Sequence, residues 1–186
     1  MDVFEQLAIV RARHRMLQAA WTGGTTMAAA DDQAIALVDA AAALARGGIR
    51  HMLIGGLAVA VHSGVARATL DVDFAIPSGA ARKQVIECLV AASFRHVGTH
   101  AHSLNFAHRS GEPVQLAFDP GFDAAIERAA VCQVRGQAVA IVTRDDLIAM
   151  KIRAAADPAR RPSKALQDRV DIAYLQGDVP EVHEGW

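Results

Sequence analysis

The stretch "HMLIGGLAVAVHSG" (51–64) constrains the fold of this chain more than any other. A short apolar run of strand character enters Gly55 and Gly56, and a small-residue segment of helical character follows at once. No polar loop separates the two, so a strand must turn directly into a helix. Glycine suits that corner because it reaches backbone conformations that side chains resist. The next segment, "LDVDFAI" (70–76), reads as a second strand closed by Pro77. A strand, a helix and a strand in so short a span describe an α/β layer rather than a helical bundle or a β-sandwich.

The second strand carries the chemistry. Alternate residues of a strand share a face, so Asp71 and Asp73 point the same way, about 6.6 Å apart along the chain. Val72 and Phe74 then point to the core. Two like charges so placed repel unless a counter-charge joins them. Mg²⁺ (or Mn²⁺) answers that need, because it takes carboxylate oxygens and keeps positions open for substrate phosphates. The plainer reading is a solvated strand end with two surface acids. The glycine turn adds weight to the first, since the start of a helix offers unpaired N–H groups to an anion.

Elsewhere the pattern predicts helices over 2–20, 32–46, 79–92, 122–130, 144–156 and 163–175, with a loop over 21–32. Strands are expected at 51–54, 70–76, 94–99, 103–109 and 113–118, the last two as a hairpin, and as a pair around Gly136 within 132–142. Thr143 and Asp146 form a T-x-x-D capping box for the helix at 144–156. On that helix Leu147, Ile148, Lys151 and Ala155 fall on one face, which puts a lysine on an apolar stripe. Asp168 and Asp171, one turn apart on the next helix, share a face with Ile172 and Leu175 and could meet it. A buried salt bridge or a lysine that reaches solvent would each satisfy this pattern.

The net charge of −1 gives no global basic field, so a nucleic-acid partner would need a local patch or a site. "ARRPSK" (159–164) reads as a solvated basic loop that could touch a nucleic-acid backbone. Cys88 and Cys132 have no ligand-like spacing and read as buried thiols. His100, His102 and His108 read as surface or structural. The N-terminus lacks the layout of a signal peptide, and the apolar run at 34–45 is short and broken by Asp39. A cytoplasmic protein without membrane contact is expected.

"GGLAVAVHSGVARATLDVDFAI" resembles the nucleotidyltransferase signature of the DNA polymerase β superfamily. More narrowly it is similar to the AbiEii/AbiGii-type minimal nucleotidyltransferases, with Gly55, Gly56, Ala58, Arg67, Thr69, Asp71 and Asp73 in the order and spacing of that pattern. "VTRDDLIAMKIRAAADPARRPSKALQDRVDIAYL" (142–175) resembles the same family's second block, and the whole resemblance runs over about 50–175. It implies an α/β (α+β) fold, a mixed sheet flanked by helices. The expected layout is an N-terminal helical extension at 1–48, a core at 49–142 and C-terminal helices at 143–186, in one compact domain.

The resemblance further implies metal-dependent transfer of NMP from an NTP to an acceptor hydroxyl, on an RNA or tRNA end or on a protein. It assigns catalysis to Asp71, Asp73 and Lys151, the metal to Asp71 and Asp73, and nucleotide or phosphate contacts to Gly55, Gly56, Arg67, Thr69, Asp168 and Asp171. Lys151 would stand at the rim of the site against the triphosphate. Many members are toxins, so a cognate antitoxin or a homodimer is an expected partner. One position departs from the pattern. The superfamily's third carboxylate is expected near Gln115, and a glutamine takes no proton and is a poorer Mg²⁺ ligand. Asp119, four residues on, is a candidate replacement. The alternative reading is therefore a nucleotidyltransferase-fold module that acts by binding a nucleotide or a protein partner.

Overall fold

The computed structural model describes residues 32–65 and 69–179. The expected helix at 2–20, most of the loop at 21–32 and Arg67 lie outside the described residues. Six helices are present among those described: α1 (Asp32–Arg46), α2 (Gly55–Ser63), α3 (Arg82–Ala91), α4 (Pro120–Glu127), α5 (Arg144–Ala156) and α6 (Pro162–Leu175). Seven strands join them: β1 (Met52–Ile54), β2 (Val72–Ala75), β3 (Arg95–Thr99), β4 (Ser103–Ala107), β5 (Pro113–Ala117), β6 (Ala130–Val134) and β7 (Gln137–Ile141).

The strands form one mixed sheet in the order β3-β4-β5-β2-β1-β7-β6. β2 runs parallel to β5 and antiparallel to β1, and β1 runs parallel to β7. The β3-β4-β5 meander and the β6-β7 hairpin complete the two sides with antiparallel pairs. β4 and β5 thus make the expected hairpin.

One core serves the whole described chain. Val72 and Phe74 of β2 are fully buried, with Val114 and Leu116 of β5 and Leu104 and Phe106 of β4 on the same face. Leu37 and Leu44 of α1 and Val85 and Leu89 of α3 belong to the same cluster. Each such side chain contributes about 1.5–3 kcal/mol by leaving water. The opposite face of β2 and β5 carries Asp73 and Gln115 next to Ala75 and Ala117.

Several boundaries differ from the sequence expectation for local reasons. β2 spans only Val72–Ala75, which leaves Asp71 at the strand's threshold rather than within it. α4 starts at Pro120, two residues early, because the Asp119 carboxylate caps it by accepting from Gly121 N at 2.7 Å and a proline suits the first turn. α3 starts late, at Arg82. The segment before it is held as a turn, with Ser78 N and Oγ donating to the Asp123 carboxylate at 2.8 and 2.6 Å. Cys88 and Cys132 are half-buried free thiols rather than buried ones. The Cys88 thiol donates to Ala43 O at 2.9 Å, and burial raises the pKa of the Cys132 thiol.

Candidate active site

The glycine corner and the acidic strand meet directly. Gly55 has a φ of +69°, a region L side chains rarely adopt. A Cβ there would lie 2.9 Å from Cβ and Cγ of Asp73 and closer still to its Oδ2. The absence of a side chain at Gly55 is what lets the Asp73 carboxylate lie against the start of α2. The N-cap residue of that helix is Ile54, whose side chain makes no capping hydrogen bond. The first N–H groups of α2 therefore lie in the neighbourhood of the Asp73 carboxylate, at the end of a helix where N–H groups have no partner within the helix.

The entry to β2 is pinned from α1. Gln33, buried at 5% exposure, donates to the carbonyls of Thr69 and Asp71, each at 3.4 Å. Thr69 Oγ1 also donates to Asp71 O, at 3.5 Å. These long contacts hold the main chain of Asp71 while its side chain stays exposed. Nothing in the local pattern marked Gln33, because its partners are remote in sequence.

Strand register answers the question of the third acid. Asp73 pairs with Gln115 across the parallel β2–β5 pair, and Gln115 pairs in turn with Asn105 of β4. Neighbouring strands lie about 4.8 Å apart, so the three side chains form a row on one face of the sheet. Asp119 stands four residues beyond Gln115, about 13 Å along the chain at strand spacing. Its carboxylate lines the larger cleft and accepts from Gly121 N at the start of α4. Gln115, not Asp119, occupies the place beside Asp73.

Lys151 joins α5 to α6. Its Nζ lies 2.8 Å from Asp168 Oδ1 and 2.7 Å from Asp171 Oδ2. The two aspartate side chains are 2% and 0% exposed and the lysine 12%. Arg160 adds Nη2 at 2.8 Å and Nε at 3.0 Å to Asp168 Oδ2. Two cations and two anions so close neutralise one another, which permits the burial of Lys151 and the two carboxylates, while Arg160 stays exposed. The cleft-facing side of α5 is Leu147, Met150, Lys151 and Ala154, rotated from the expected stripe through Ile148 and Ala155. Thr143 caps α5 as expected, its Oγ1 accepting from Asp146 N at 3.2 Å.

These parts enclose two adjoining cavities. The smaller, about 440 Å³, is lined by Gly55, Gly56, Thr69, Asp71 and Asp73 on one side and by Arg160, Ser163 and Lys164 on the other. The larger, about 700 Å³, shares Gly55, Asp73, Lys151, Arg160 and Asp168 with it. It continues over Gln115, Phe118, Phe122, Met150 and Arg153. The structure therefore brings together every expected site residue within the described range except Asp171, which stands behind Lys151. The sequence reading missed Arg153, Asp157 and the aromatic pair Phe118 and Phe122, because packing between elements remote in sequence decides who lines the cleft, whereas Arg160 and Lys164 come from the basic run at 159–164. His102 lines the larger cavity as an exposed side chain. His108 is structural: it is buried, with Nε2 3.1 Å from Asp39 Oδ2 and Nδ1 2.8 Å from Ser110 Oγ.

The donor set is compatible with one hard divalent cation. Asp71 and Asp73 supply carboxylate oxygens on one cavity wall, leaving other positions for phosphate oxygens and water. Among the described residues no group of three His, Cys, Asp or Glu side chains is placed to hold a metal. Nor, among those residues, is any helix long and apolar enough to cross a membrane.

No curated protein matches the chain. Solved structures with this fold include ANT(2'')-Ia, an antibiotic-resistance factor, at 18% identity and a TM-score of 0.58, covering 79% of this chain and 85% of that one. An antigenic nucleotidyltransferase-like protein from Paracoccidioides brasiliensis is 21% identical with a TM-score of 0.54, covering 82% and 80%. The lincosamide antibiotic adenylyltransferase LnuA, lincomycin-bound, is 13% identical with a TM-score of 0.51, covering 73% and 91%. At these identities the likeness is one of fold. The family described as "Nucleotidyl transferase AbiEii toxin, Type IV TA system" matches residues 37–184, reaching beyond 50–175 at both ends and taking in most of α1. The chain belongs to this AbiEii family and is a nucleotidyltransferase.

Proposed function

We propose that the chain transfers NMP from a nucleoside triphosphate to an acceptor hydroxyl in a reaction dependent on a divalent cation. The observation that carries this reading is the contact of Gly55 with Asp73, which sets a carboxylate against the start of α2, where the N-cap residue Ile54 has no capping side chain. The triphosphate would lie in the smaller cavity, its phosphate oxygens accepting from the N–H groups of Gly55 and Gly56. Arg160, Ser163 and Lys164 would flank it from the opposite wall. Asp71 and Asp73 would hold Mg²⁺ or Mn²⁺, which when bound neutralises charge on the phosphates.

The acceptor would enter through the larger cavity. Its hydroxyl oxygen bonds to the α-phosphorus, the bond from that phosphorus to the bridging oxygen breaks, and pyrophosphate leaves. The hydroxyl proton passes to solvent. Lys151 would sit where both cavities meet, its ammonium held by Asp168 and Asp171 and aimed at the phosphates. Arg67 and Thr69 are proposed as further phosphate contacts. The acceptor classes are an RNA or tRNA end or a protein, and the proposed setting is a cytoplasmic toxin countered by an antitoxin.

The test is label transfer. Incubation with NTPs labelled at the α- or the γ-phosphate, Mg²⁺ and a cell extract should move only α-label onto macromolecules, and Asp73→Asn should abolish it. Transfer of γ-label, or no transfer with any NTP, would contradict the reading. A second reading, a binding module, is favoured by one observation, Gln115 beside Asp73. It predicts nucleotide binding with no label transfer from any extract.

A further inference from the structure

The row Asp73, Gln115, Asn105 crosses three strands on the cleft face of the sheet. One end of it is a carboxylate and the other two members are neutral amides. The Asn105 Oδ1 is buried and accepts no hydrogen bond among the described residues. An amide offers both N–H donors and a carbonyl acceptor but no negative charge. A second divalent cation beside Asp73 would therefore meet a carboxamide where a further carboxylate is needed to balance it. Asp71 and Asp73 already match one such cation charge for charge. Asp119, beyond the end of β5, lines the larger cavity, but its Oδ1 accepts from Gly121 N at 2.7 Å as the α4 cap, and it lies out of register with Asp73, four residues past Gln115.

We infer that this site works with a single divalent cation, and that Gln115 stands in for the second by donating its amide N–H to a phosphate oxygen of the bound nucleotide. The inference rests on the nucleotidyl-transfer reading and deepens it. Gln115 is placed for the role: it lines the larger cavity together with Gly55, Asp73 and Lys151. A carboxylate in its place would restore charge for a second cation within one strand spacing of Asp73, about 4.8 Å.

Counting bound Mn²⁺ tests this without turnover. The protein is saturated with the α,β-methylene analogues of the four NTPs. Bound Mn²⁺ is read from the loss of the free-ion electron paramagnetic resonance signal, and nucleotide uptake is read separately by equilibrium dialysis. The expected result is one Mn²⁺ per chain for the wild type and two for Gln115→Asp, a doubling. Gln115→Glu serves the same purpose if the aspartate variant does not fold, and the wild-type count decides on its own. Two Mn²⁺ in the wild type would overturn the inference while leaving nucleotide binding intact. Absence of nucleotide uptake would instead overturn the reading beneath it, and the inference with it.

Discussion

Gly55 and Asp73 occupy one space: the carboxylate of the second lies where the side chain of the first would be. Gly55→Ala would both force a β-carbon onto a left-handed φ, at about 1–2 kcal/mol, and push the Asp73 carboxylate aside. The expected outcome in urea unfolding is a folded, weakened protein. Activity should fall about 100-fold or more, as misplacement of a reacting group by an ångström does. Near-native transfer in this variant would show that the contact is incidental.

Lys151 is matched by two buried carboxylates, so removing it leaves charge uncompensated. Lys151→Met is expected to lower stability by about 3–5 kcal/mol, in the range for breaking a buried pair. Asp168→Asn/Asp171→Asn in the same background should recover a large part of that loss, measured as a mutant cycle in denaturant. Recovery of stability without recovery of activity would separate the lysine's work on substrate from its work between α5 and α6.

His51 carries a pH dependence of known sign. Burial lowers the pKa of its ring below the usual imidazole range, near 6.5, against an opposing bond from Nδ1 to Ile49 O at 2.9 Å. The folded chain then binds this proton less readily than the unfolded one. The contribution to stability is complete above the unfolded pKa and is lost as pH falls through that value to the folded one. Proton NMR should show His51 titrating below about 6.5, and His51→Gln should flatten the stability profile on the acid side of that value. Titration at or above it would contradict this assignment.

The start of α5 makes an acid-side counterpart. Arg128 beside Asp146, at 2.7 Å, lowers the pKa of that carboxyl below the usual carboxylate value, with Thr143 adding a hydrogen bond at 2.9 Å. The depressed pKa stabilises the fold above the unfolded carboxylate value and is lost as pH falls through the folded one. Thr143→Ala is expected to cost about 1 kcal/mol at neutral pH, and Asp146→Asn to shallow the loss of stability in acid. Thermal melts from pH 2 to 7 would show both.

Features that depend on local sequence were legible. The helices at 32–46 and 144–156 match their expected spans, because each has a clear periodicity and clear ends. The pairing of Lys151 with Asp168 and Asp171 was one of the arrangements that one-turn spacing left open, beside a lysine that reaches solvent or stands at the rim of the site, and it is the one observed. The strand order was not legible, since the parallel β2–β5 and β1–β7 pairs join segments far apart in the chain. That order decides the site: it sets Gln115 beside Asp73, as only the family resemblance implied, and leaves Asp119 out of register in the lining of the same cavity. Gln33 and Arg153 were missed for the same reason, their roles arising from contacts between elements remote in sequence. The Asp119-Pro120 start of α4 was a readable cap that went unused.

The most direct measurement is thermal unfolding with each of the four NTPs and Mg²⁺, for the wild type and for Asp71→Asn/Asp73→Asn. A ligand at about 100 times its Kd adds about 2.7 kcal/mol, which raises the midpoint of a domain this size by several degrees. The account predicts a cation-dependent rise with at least one NTP that the double variant loses. No rise with any NTP in a folded sample, or an equal rise in the variant, would contradict it.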